Sequence, residues 1–283
     1  MEWRKIEESI FKGLMIIASG IVFLSLFCIL GVVLVKGVKY LDISMVTQGP
    51  RGGFYLGKEG GILNAIVGSL LLAGGASMVS FFLSLPLALY LNVYLKKGAL
   101  LAELTRFSLD VLWGIPSIVY GAFGFTIMFL FGLKASLLGG IITVALLIFP
   151  IMSRAMDEVI QMVPYELYDS AYSLGSTKWE ISLRVVFRQT FPGIMTAILI
   201  AFGRGIGDAA SVIFTAGFSD SVNWSLFRPV ATLPLAIFYQ LGTPFPEVQA
   251  RGYSASLVLT AIIMSISILS RLLARRFKGY IIK

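Results

Sequence analysis

Long apolar runs alternate with short polar segments along the whole chain. Six of these runs are close to the length of a membrane-crossing helix, because about 20 residues at a rise of about 1.5 Å match a hydrocarbon core of about 30 Å. They are Leu14–Val35, Ile62–Tyr94, Leu109–Phe131, Ala135–Met152, Gly193–Gly217 and Ala255–Leu273. None alternates apolar and polar positions in the manner of a membrane β-barrel strand. The pattern therefore predicts an all-α membrane protein with six transmembrane helices.

The first two runs carry features beyond those of a simple span. Leu14–Val35 is too long for the apolar part of a signal peptide and lacks a clear small-residue cleavage site, so we expect a retained helix. Ile62–Tyr94 is longer than one straight crossing needs, and its Pro86 predicts a kink or a break.

The composition excludes a soluble domain. Of the 283 residues, 57% are hydrophobic and 13% are charged, whereas a soluble domain carries about 25% charged residues. The formal net charge of +8 does not indicate nucleic-acid binding, because the basic residues lie mainly at the ends of apolar runs. The sequence has no histidine, and its single cysteine, Cys28, excludes an internal disulfide. We expect neither a metal nor a cofactor.

Lysine and arginine predict the orientation of the helices. Most of the 23 basic residues fall before the first run, after the second, between the fourth and fifth, and after the sixth. This bias predicts that both termini are cytoplasmic, although the first outer loop also carries basic residues. Those residues are Lys36, Lys39, Arg51 and Lys58. The two longer outer loops, 36–61 and 218–254, then face the other side of the membrane.

The spans and loops divide the chain into three regions. They are an N-terminal helix with its outer loop, 1–61; a transmembrane core, 62–275, with a cytoplasmic loop, 153–192; and a basic cytoplasmic tail, 276–283. The core loop contains a polar segment, Pro164–Gly193, between two strongly apolar runs. We expect a membrane protein that exposes such a segment to present it to a soluble partner.

The polar segment has the pattern of two short helices joined by a turn. Pro164 can start the first helix, and Gly175 can end it by adopting left-handed backbone. Thr177 and Glu180 then form a capping box at the start of a second helix. We expect Pro192 to end this second helix just before the fifth span.

Three large side chains crowd around the glycine turn, namely Tyr172, Leu174 and Trp179. One interpretation is an amphipathic segment that rests on lipid headgroups, which suits tryptophan and tyrosine. The other is a docking surface for a soluble protein. Spacing alone leaves both interpretations open.

A family resemblance makes the docking interpretation specific. The run Asp169-Ser170-Ala171, followed by Gly175 and by Pro192-Gly193, resembles the EAA loop of ABC-importer permeases. In that family the loop is a coupling helix pair that fits a groove on the ATPase subunit. The coupling residues that the resemblance implies are Asp169, Ser170, Ala171, Leu174, Gly175 and Trp179. Asp169-Ser170 replaces the usual Glu-Ala, and Arg188 stands where many members have proline.

Three further runs narrow the resemblance to phosphate-transporter permeases. Trp113–Gly121 is similar to their G-x-P-S-I-V-Y-G run. Gly203–Ala210 with Phe214–Gly217 resembles their G-R-A-I-G-E-T-A and F-T-A-G runs, and the third similar run is Ala231–Leu235 with Ile237–Tyr239. The F-T-A-G ending and the short N-terminal extension favour the PstA type over the PstC type.

The resemblance implies a type I ABC importer permease fold in the cytoplasmic, or inner, membrane. It implies a permease subunit of an ATP-driven importer of inorganic phosphate, and not an enzyme. The implied partners are a homologous PstC-like permease, two cytoplasmic P-loop ATPase subunits and an extracytoplasmic phosphate-binding protein. The sequence itself has no G-x-x-x-x-G-K-[ST] run with which to hold ATP.

A charged pair lies inside the fifth run. Arg204 and Asp208 are four residues apart, which on a helix places them on one side about one turn apart. An arginine near mid-membrane is costly, and its planar donors match phosphate oxygens. We expect Arg204 to line the translocation path and Asp208 to hold it there; the alternative is a salt bridge that only fixes helix register. The resemblance puts an arginine and an acid at these positions, with Asp here in place of Glu.

Small and kink-prone residues accompany this pair and the third run. Gly203, Gly205 and Gly207 allow neighbouring helices to approach and slide. Pro116 interrupts the third run, and the hydroxyl of Ser117 can satisfy the carbonyl that proline leaves free. We expect these five positions to bend as the path alternates its access; the alternative is that they serve tight packing.

Three other functions are compatible with parts of the sequence. A permease for another oxyanion, sulfate or molybdate, would use Arg204 equally well. An intramembrane aspartyl protease of the G-x-G-D class would pair Asp208 with Asp169 so that their carboxylates share a proton. Against it, Asp169 lies outside the apolar runs and no P-A-L run is present. An ion-coupled secondary transporter would need no docking segment.

Overall fold

The protein is helical in the part of the chain that the structure, a computed structural model, describes: residues 2–51, 59–96 and 98–277. Within these ranges the only strand-like feature is an isolated bridge between Pro50 and Gly60. Parts of the predicted loops and tail lie outside the described residues, namely Lys58, Lys97 and 278–283.

The helices follow one another with short connections. They are α1 (Glu2–Lys39), α2 (Ile43–Thr47), α3 (Leu63–Leu89), α4 (Leu100–Gly114), α5 (Ser117–Leu130), α6 (Leu137–Gln161), α7 (Tyr165–Ser173), α8 (Lys178–Glu180), α9 (Phe187–Ile206), α10 (Leu233–Leu241) and α11 (Pro246–Phe277). A first π-turn, Tyr90–Tyr94, extends α3, and a second π-turn, Ile181–Val186, joins α8 to α9.

The helices provide the predicted number of membrane spans. Five stretches among the described residues are long and apolar enough to cross a membrane: Trp3–Lys39, Leu63–Tyr94, Leu137–Gln161, Lys178–Ile206 and Pro246–Leu272. The pair α4 and α5 meets the same criterion together but is bent by 99°, so it counts as a sixth, broken span. The prediction of an all-α membrane protein with six spans is therefore confirmed.

The third span is two helices, and the prediction of one helix over 109–131 is wrong. α4 begins before that range and ends at Gly114, and α5 begins at Ser117. The cause is Pro116, because a proline ring pushes the preceding residue out of helical backbone. That residue, Ile115, is extended, with φ −71° and ψ 130°.

The fifth span begins and ends earlier than the predicted Gly193–Gly217. α8, the second π-turn and α9 form one continuous helical stretch, so the predicted helix end at Pro192 is wrong and this proline lies inside α9. The stretch ends at Ile206, and residues 208–217 form turns. Three alternating glycines surround this end, and glycine lowers helix stability by about 1 kcal/mol per residue relative to alanine.

Pro86 does not break α3. The helix continues through it to Leu89, where the first π-turn begins. In this wider turn the Leu95 amide donates a hydrogen bond to the Tyr90 carbonyl at 3.3 Å. Membrane helices tolerate proline where neighbouring groups and local π-type adjustments satisfy the backbone, and α3 is such a case.

Other bounds also differ from the predicted ones, and α1 extends beyond the predicted Leu14–Val35 at both ends. α6 runs past Met152 to Gln161, so residues 153–161 of the predicted cytoplasmic loop are helical. α11 begins at Pro246 and not at Ala255. The predicted outer loop 218–254 contains α10, which packs against α11 and α3.

α6 is the central helix of the bundle. It packs against α3, α4, α5 and α9, and it is the most buried of the spans. Small residues permit this packing: a Cβ added at Gly140 would lie 2.7 Å from Leu72, and one added at Gly205 of α9 would lie 3.1 Å from Val144. The helices packed around α6 therefore hold in position the C-terminal end of α9 and the N-terminal end of α7.

α1 lies at the periphery and packs mainly against α11. There the Ser254 hydroxyl donates a hydrogen bond to the Gly37 carbonyl at 2.7 Å, and the Lys36 ammonium lies 4.7 Å from the ring centroid of Tyr253. This chain buries none of the most apolar stretch of α1. Lipid or a neighbouring protein must cover its apolar side chains.

Candidate functional site

The charged pair of the fifth span lies where α9 ends. Arg204 is in the last turn of α9, and Asp208 follows the C-cap residue Gly207. Nη1 of Arg204 donates a hydrogen bond to Oδ1 of Asp208 at 2.7 Å, and the Ser211 amide donates to Oδ2 at 2.8 Å. The Asp208 side chain is 5% exposed and the Arg204 side chain 42% exposed. The acid is thus a buried anchor, and the guanidinium is the part that the chain exposes.

The pair forms as expected, but not within one continuous helix. Asp208 lies beyond the helix end, and its carboxylate caps the first of the turns at 208–217 by accepting the Ser211 amide, as N-cap carboxylates do. The salt bridge to Arg204 therefore ties the last turn of α9 to this turn region.

One face of α9 beside the pair is left open by this chain. A Cβ added at Gly203 meets nothing within 4 Å, and Gly207 and Arg204 are exposed. The opposite face packs on α6 through Gly205. Of the three predicted hinge glycines, only Gly205 mediates close helix packing, whereas Gly203 and Gly207 keep the open face free of side-chain bulk around the guanidinium.

The break in the third span has its own hydrogen bond. Pro116 has no N–H to donate to the carbonyl of Leu112, its partner in a continuous helix, and the Ile115 amide donates to this carbonyl instead, at 3.2 Å. The Tyr120 hydroxyl donates to this carbonyl at 2.9 Å, and the Tyr120 side chain is buried. Tyr120, and not Ser117, therefore supplies the expected bond. The predicted hinge at Pro116 coincides with the bend of 99°.

α5 connects this break to the charged pair. A Cβ added at Gly121 would lie 2.9 Å from the carbonyl oxygens of Ala210 and Ser211. Ser211 is the residue whose amide holds Asp208. The backbone of α5 at Gly121 therefore lies directly against the residues that hold the Asp208 carboxylate.

The polar segment has the two-helix form predicted for it. α7 ends with Gly175 at φ +77°, and the Ser176 and Gly175 amides donate to the Ala171 and Tyr172 carbonyls at 3.1 and 2.9 Å. This pair of hydrogen bonds is a Schellman motif. Thr177 and Glu180 form the complete capping box at the start of α8. The first helix ends at Ser173, two residues before the predicted stop at Gly175.

The predicted coupling residues divide into an exposed and a buried set. Leu174 is 85% exposed and Trp179 64% exposed, and Asp169 and Ser170 are exposed as well. Ala171 is buried and packs against the core, so it anchors α7. We name the exposed apolar pair Leu174 and Trp179 the coupling surface.

Tyr168 also holds α7 to the bundle. Its ring packs against the core cluster, and it stacks on Tyr165 with ring centroids 6.3 Å apart. Burial, with a smaller contribution from Tyr172, raises the pKa of Tyr168 to about 12. The phenol therefore keeps its proton at neutral pH and remains a hydrogen-bond donor.

A charge network that the sequence did not predict lies between the first π-turn, α4 and α6. Its centre is Asp157, whose side chain is fully buried. Nε and Nη2 of Arg106 donate to Oδ2 and Oδ1 at 2.8 and 2.9 Å, and Nη1 of Arg154 donates to Oδ2 at 2.9 Å. Asn92 and Gln161 each donate at 2.7 Å. Five hydrogen bonds thus join three elements at one carboxylate.

Asp110 completes the network from outside. Nε of Arg154 donates to its Oδ1 at 2.7 Å, and the Asp110 side chain is 50% exposed. Nη2 of Arg154 also lies 3.9 Å from Oε1 of Glu158, so three carboxylates surround the two arginines. A local signal existed, because Arg154 and Gln161 lie one turn before and after Asp157 on a helix. The sequence prediction missed this signal because it ended the fourth span at Met152, before Asp157.

The geometry does not support the aspartyl protease. Asp169 lies in α7, before α9, and Asp208 lies after α9. A helix of the length of α9 spans about 30 Å at about 1.5 Å per residue. The two carboxylates are therefore placed at opposite ends of a span and do not share a proton, and Asp208 is already paired with Arg204.

Comparison with known proteins gives a family. Residues 84–279 match the model of the family described as "Binding-protein-dependent transport system inner membrane component". The chain is 34% identical to the phosphate transport system permease protein PstA of Yersinia pestis, with 86% of this chain and 81% of that protein covered. It is 31% identical to PstA 1 of Mycobacterium tuberculosis H37Rv, with 94% and 86% covered.

Solved structures agree on the fold. The inward-facing MetNI methionine ABC transporter matches with a TM-score of 0.61 at 17% identity, over 76% of this chain and 95% of that one. A bacterial ABC transporter that imports alginate matches with a TM-score of 0.59 at 15% identity, over 98% and 99%. With the family match, the helical spans and the two-helix segment, the conclusion is that this chain belongs to the inner membrane components of binding-protein-dependent transport systems.

Proposed function

We propose that the chain is a permease subunit of an ATP-driven importer of inorganic phosphate, and that it forms the translocation path together with a PstC-like second permease. The observation that carries the proposal is the pairing of an exposed Arg204 with a buried Asp208 where α9 ends. The names of the relatives, phosphate transport system permeases, support phosphate over sulfate or molybdate.

The chemistry of the pair suits an anion path. Within the described part of the chain the Arg204 guanidinium donates one hydrogen bond, from Nη1 to Asp208. Its other donors are available to the oxygens of a passing oxyanion, which match the planar geometry of guanidinium. Asp208 offsets the positive charge while no anion is bound, so that phosphate is attracted but not held too tightly to leave.

The open face of α9 supports a second permease. A guanidinium exposed to lipid hydrocarbon is costly, so a charged side chain in a span faces a bundle interior or a water-filled cavity. This chain leaves Arg204 exposed beside Gly203, where an added side chain would meet nothing within 4 Å. A homologous subunit facing this side would enclose the path.

The coupling surface supports docking of P-loop ATPases. Leu174 and Trp179 project from a turn whose backbone is fully capped, and such rigid apolar anchors are typical of protein interfaces. Two ATPase subunits, one for each permease, would sit beneath these segments. This placement follows from the expected cytoplasmic termini, which put α7 and α8 inside the cell.

The opposite side of the membrane would receive the phosphate-binding protein. The outer segment 218–254 exposes Trp224 and Phe227, at 72% and 69%. Aromatic residues are enriched at protein interfaces, and this segment is held to the bundle by the buried first turn of α10, Leu233–Ala236.

One continuous stretch links the two sites. Trp179 stands near the start and Arg204 near the end of the helical span Lys178–Ile206. A push on the coupling surface when ATP closes the ATPase dimer therefore acts on the same stretch that carries the guanidinium. The second π-turn, Ile181–Val186, is a natural joint in it, because π-turns often mark functional sites in helices.

Uptake of labelled phosphate tests the proposal. Proteoliposomes with the complex that co-purifies with this chain are loaded with ATP on the ATPase side and supplied with the phosphate-binding protein. We expect ATP-dependent uptake of phosphate that arsenate inhibits and that equal concentrations of sulfate or molybdate do not. Uptake of sulfate or molybdate in preference to phosphate would contradict the substrate, and absence of an ATPase from the purified complex would contradict the coupling.

A further inference from the structure

A cavity of about 720 Å³ opens between α7–α8 and the loop that follows α3. Neither the anion path nor the coupling surface uses it. Its polar lining comes mainly from tyrosines and basic residues: Tyr94, Lys96, Arg106, Tyr168, Tyr172 and Lys178.

The lining of this cavity carries an unbalanced positive charge. Among the described residues, no carboxylate side chain lines it. Arg106 is balanced because it donates two hydrogen bonds to Asp157 just behind the lining. Lys96 and Lys178 form no salt bridge within the described part of the chain. Two ammonium groups therefore border the same space without a counter-ion.

Lys178 already bridges the two walls of the cavity. Its Nζ donates a hydrogen bond to the Tyr94 carbonyl at 3.3 Å and lies 5.7 Å from the centroid of the Tyr94 ring. Lys178 belongs to α8 and Tyr94 to the first π-turn. The protonated phenol of Tyr168 adds a neutral donor to the lining. The described lining of the cavity thus offers several hydrogen-bond donors and no negatively charged acceptor.

We propose that this cavity binds a phosphate group beside the coupling segment. Ammonium and phenol donors around a space without carboxylates match a phosphate monoester, a diester or orthophosphate. Two sources provide such a group, free orthophosphate and the headgroup of an anionic lipid, since lysine and tyrosine are also typical of the membrane interface. A bound phosphate holds α8 and the loop after α3 together and so restrains the coupling segment. The proposal rests on the proposed function only for its cytoplasmic location.

Direct binding to the intact complex tests this site. All samples carry Arg204→Ala, so that the anion path does not contribute. The test variant is Lys96→Gln with Lys178→Gln. The matched control is Arg184→Gln with Arg188→Gln, which removes the same charge from exposed positions outside the cavity lining. Labelled orthophosphate binding is measured in phosphatidylcholine nanodiscs, and retained phosphatidylglycerol is counted by native mass spectrometry.

Each outcome of this experiment either supports or overturns the proposed phosphate site. If orthophosphate is the ligand, the lysine variant weakens its binding at least about tenfold and the arginine control does not, since charge-assisted bonds are lost. If the lipid is the ligand, orthophosphate does not bind, and the lysine variant loses a phosphatidylglycerol that the control retains. If neither ligand distinguishes the lysine variant from the control, the proposal is overturned. Because uptake is not the readout, that result leaves the proposed function standing.

Discussion

The hydroxyl of Tyr120 donates a hydrogen bond to the Leu112 carbonyl across the break in the third span, at 2.9 Å. Tyr120→Phe removes this bond and keeps the ring, so we expect a loss of about 0.5–1.5 kcal/mol in the free energy of unfolding. Thermal unfolding of the detergent-purified protein measures it. The control is Tyr239→Phe, which keeps the ring contacts to Phe218 and Phe238. Equal stability of the two variants would contradict the role of Tyr120.

The buried carboxylate of Asp157 is expected to dominate the stability of its network. Asp157→Ala leaves Arg106 and Arg154 facing each other without their shared partner, and breaking a buried ion pair costs about 3–5 kcal/mol. Asp110→Ala removes a half-exposed partner of Arg154 and is expected to cost less than about 1 kcal/mol. The same unfolding measurement compares them, and a larger effect at Asp110 would refute this ranking.

Two glycines of the path region are expected to differ in their tolerance of a methyl group. Gly121→Ala places a Cβ 2.9 Å from the backbone oxygens of Ala210 and Ser211, and such overpacking costs about 1–3 kcal/mol. The Cβ of Gly203→Ala meets nothing within 4 Å among the described residues. We expect the first to lower stability and the second to leave the isolated chain unchanged or slightly more stable. If Gly203→Ala still impairs uptake in the assembled complex, the effect arises at the second permease.

The coupling surface is expected to depend on its apolar character. Leu174→Asp puts a charge on a side chain that is 85% exposed, so folding is unaffected while an apolar contact with the ATPase is lost. We expect less ATPase to co-purify and ATP hydrolysis to become uncoupled from uptake, and Leu174→Met to behave as the parent chain. Undiminished ATPase recovery with Leu174→Asp would favour a segment that rests on lipid headgroups.

Local rules predicted the polar segment well. The left-handed Gly175 and the capping box of Thr177 with Glu180 depend on residues within one turn of each other, and the structure has both. The number of membrane spans was also predicted from the sequence, because length and hydropathy decide whether a helix crosses a membrane.

The sequence did not predict which prolines interrupt a helix and which lie inside one. Pro116 breaks a span, whereas Pro86 and Pro192 lie inside continuous helices. At Pro116 the Leu112 carbonyl accepts the Ile115 amide and, across the bend, the Tyr120 hydroxyl. The presence of a proline alone therefore does not distinguish a break from a continuous helix.

Long-range partners account for the remaining omissions. Asp157 is bound by Arg106 and Asn92, which are distant in sequence and reach it only because α4 and the first π-turn pack beside α6. The pair Arg204 and Asp208 was predicted from its spacing, but the end of α9 between them was not. The turns that follow α9 lie against Gly121 of α5, which is distant in sequence.

The proposed anion path depends on the exposed guanidinium of Arg204. ATP-driven phosphate uptake is measured in proteoliposomes that contain the parent complex, Arg204→Ala or Arg204→Lys, with subunit composition checked for each. We expect Arg204→Ala to assemble normally and to lower uptake at least about tenfold, because the charge-assisted bonds of the guanidinium are lost, and Arg204→Lys to retain part of the activity. Normal phosphate uptake by an assembled Arg204→Ala complex would contradict the role of this residue in the path.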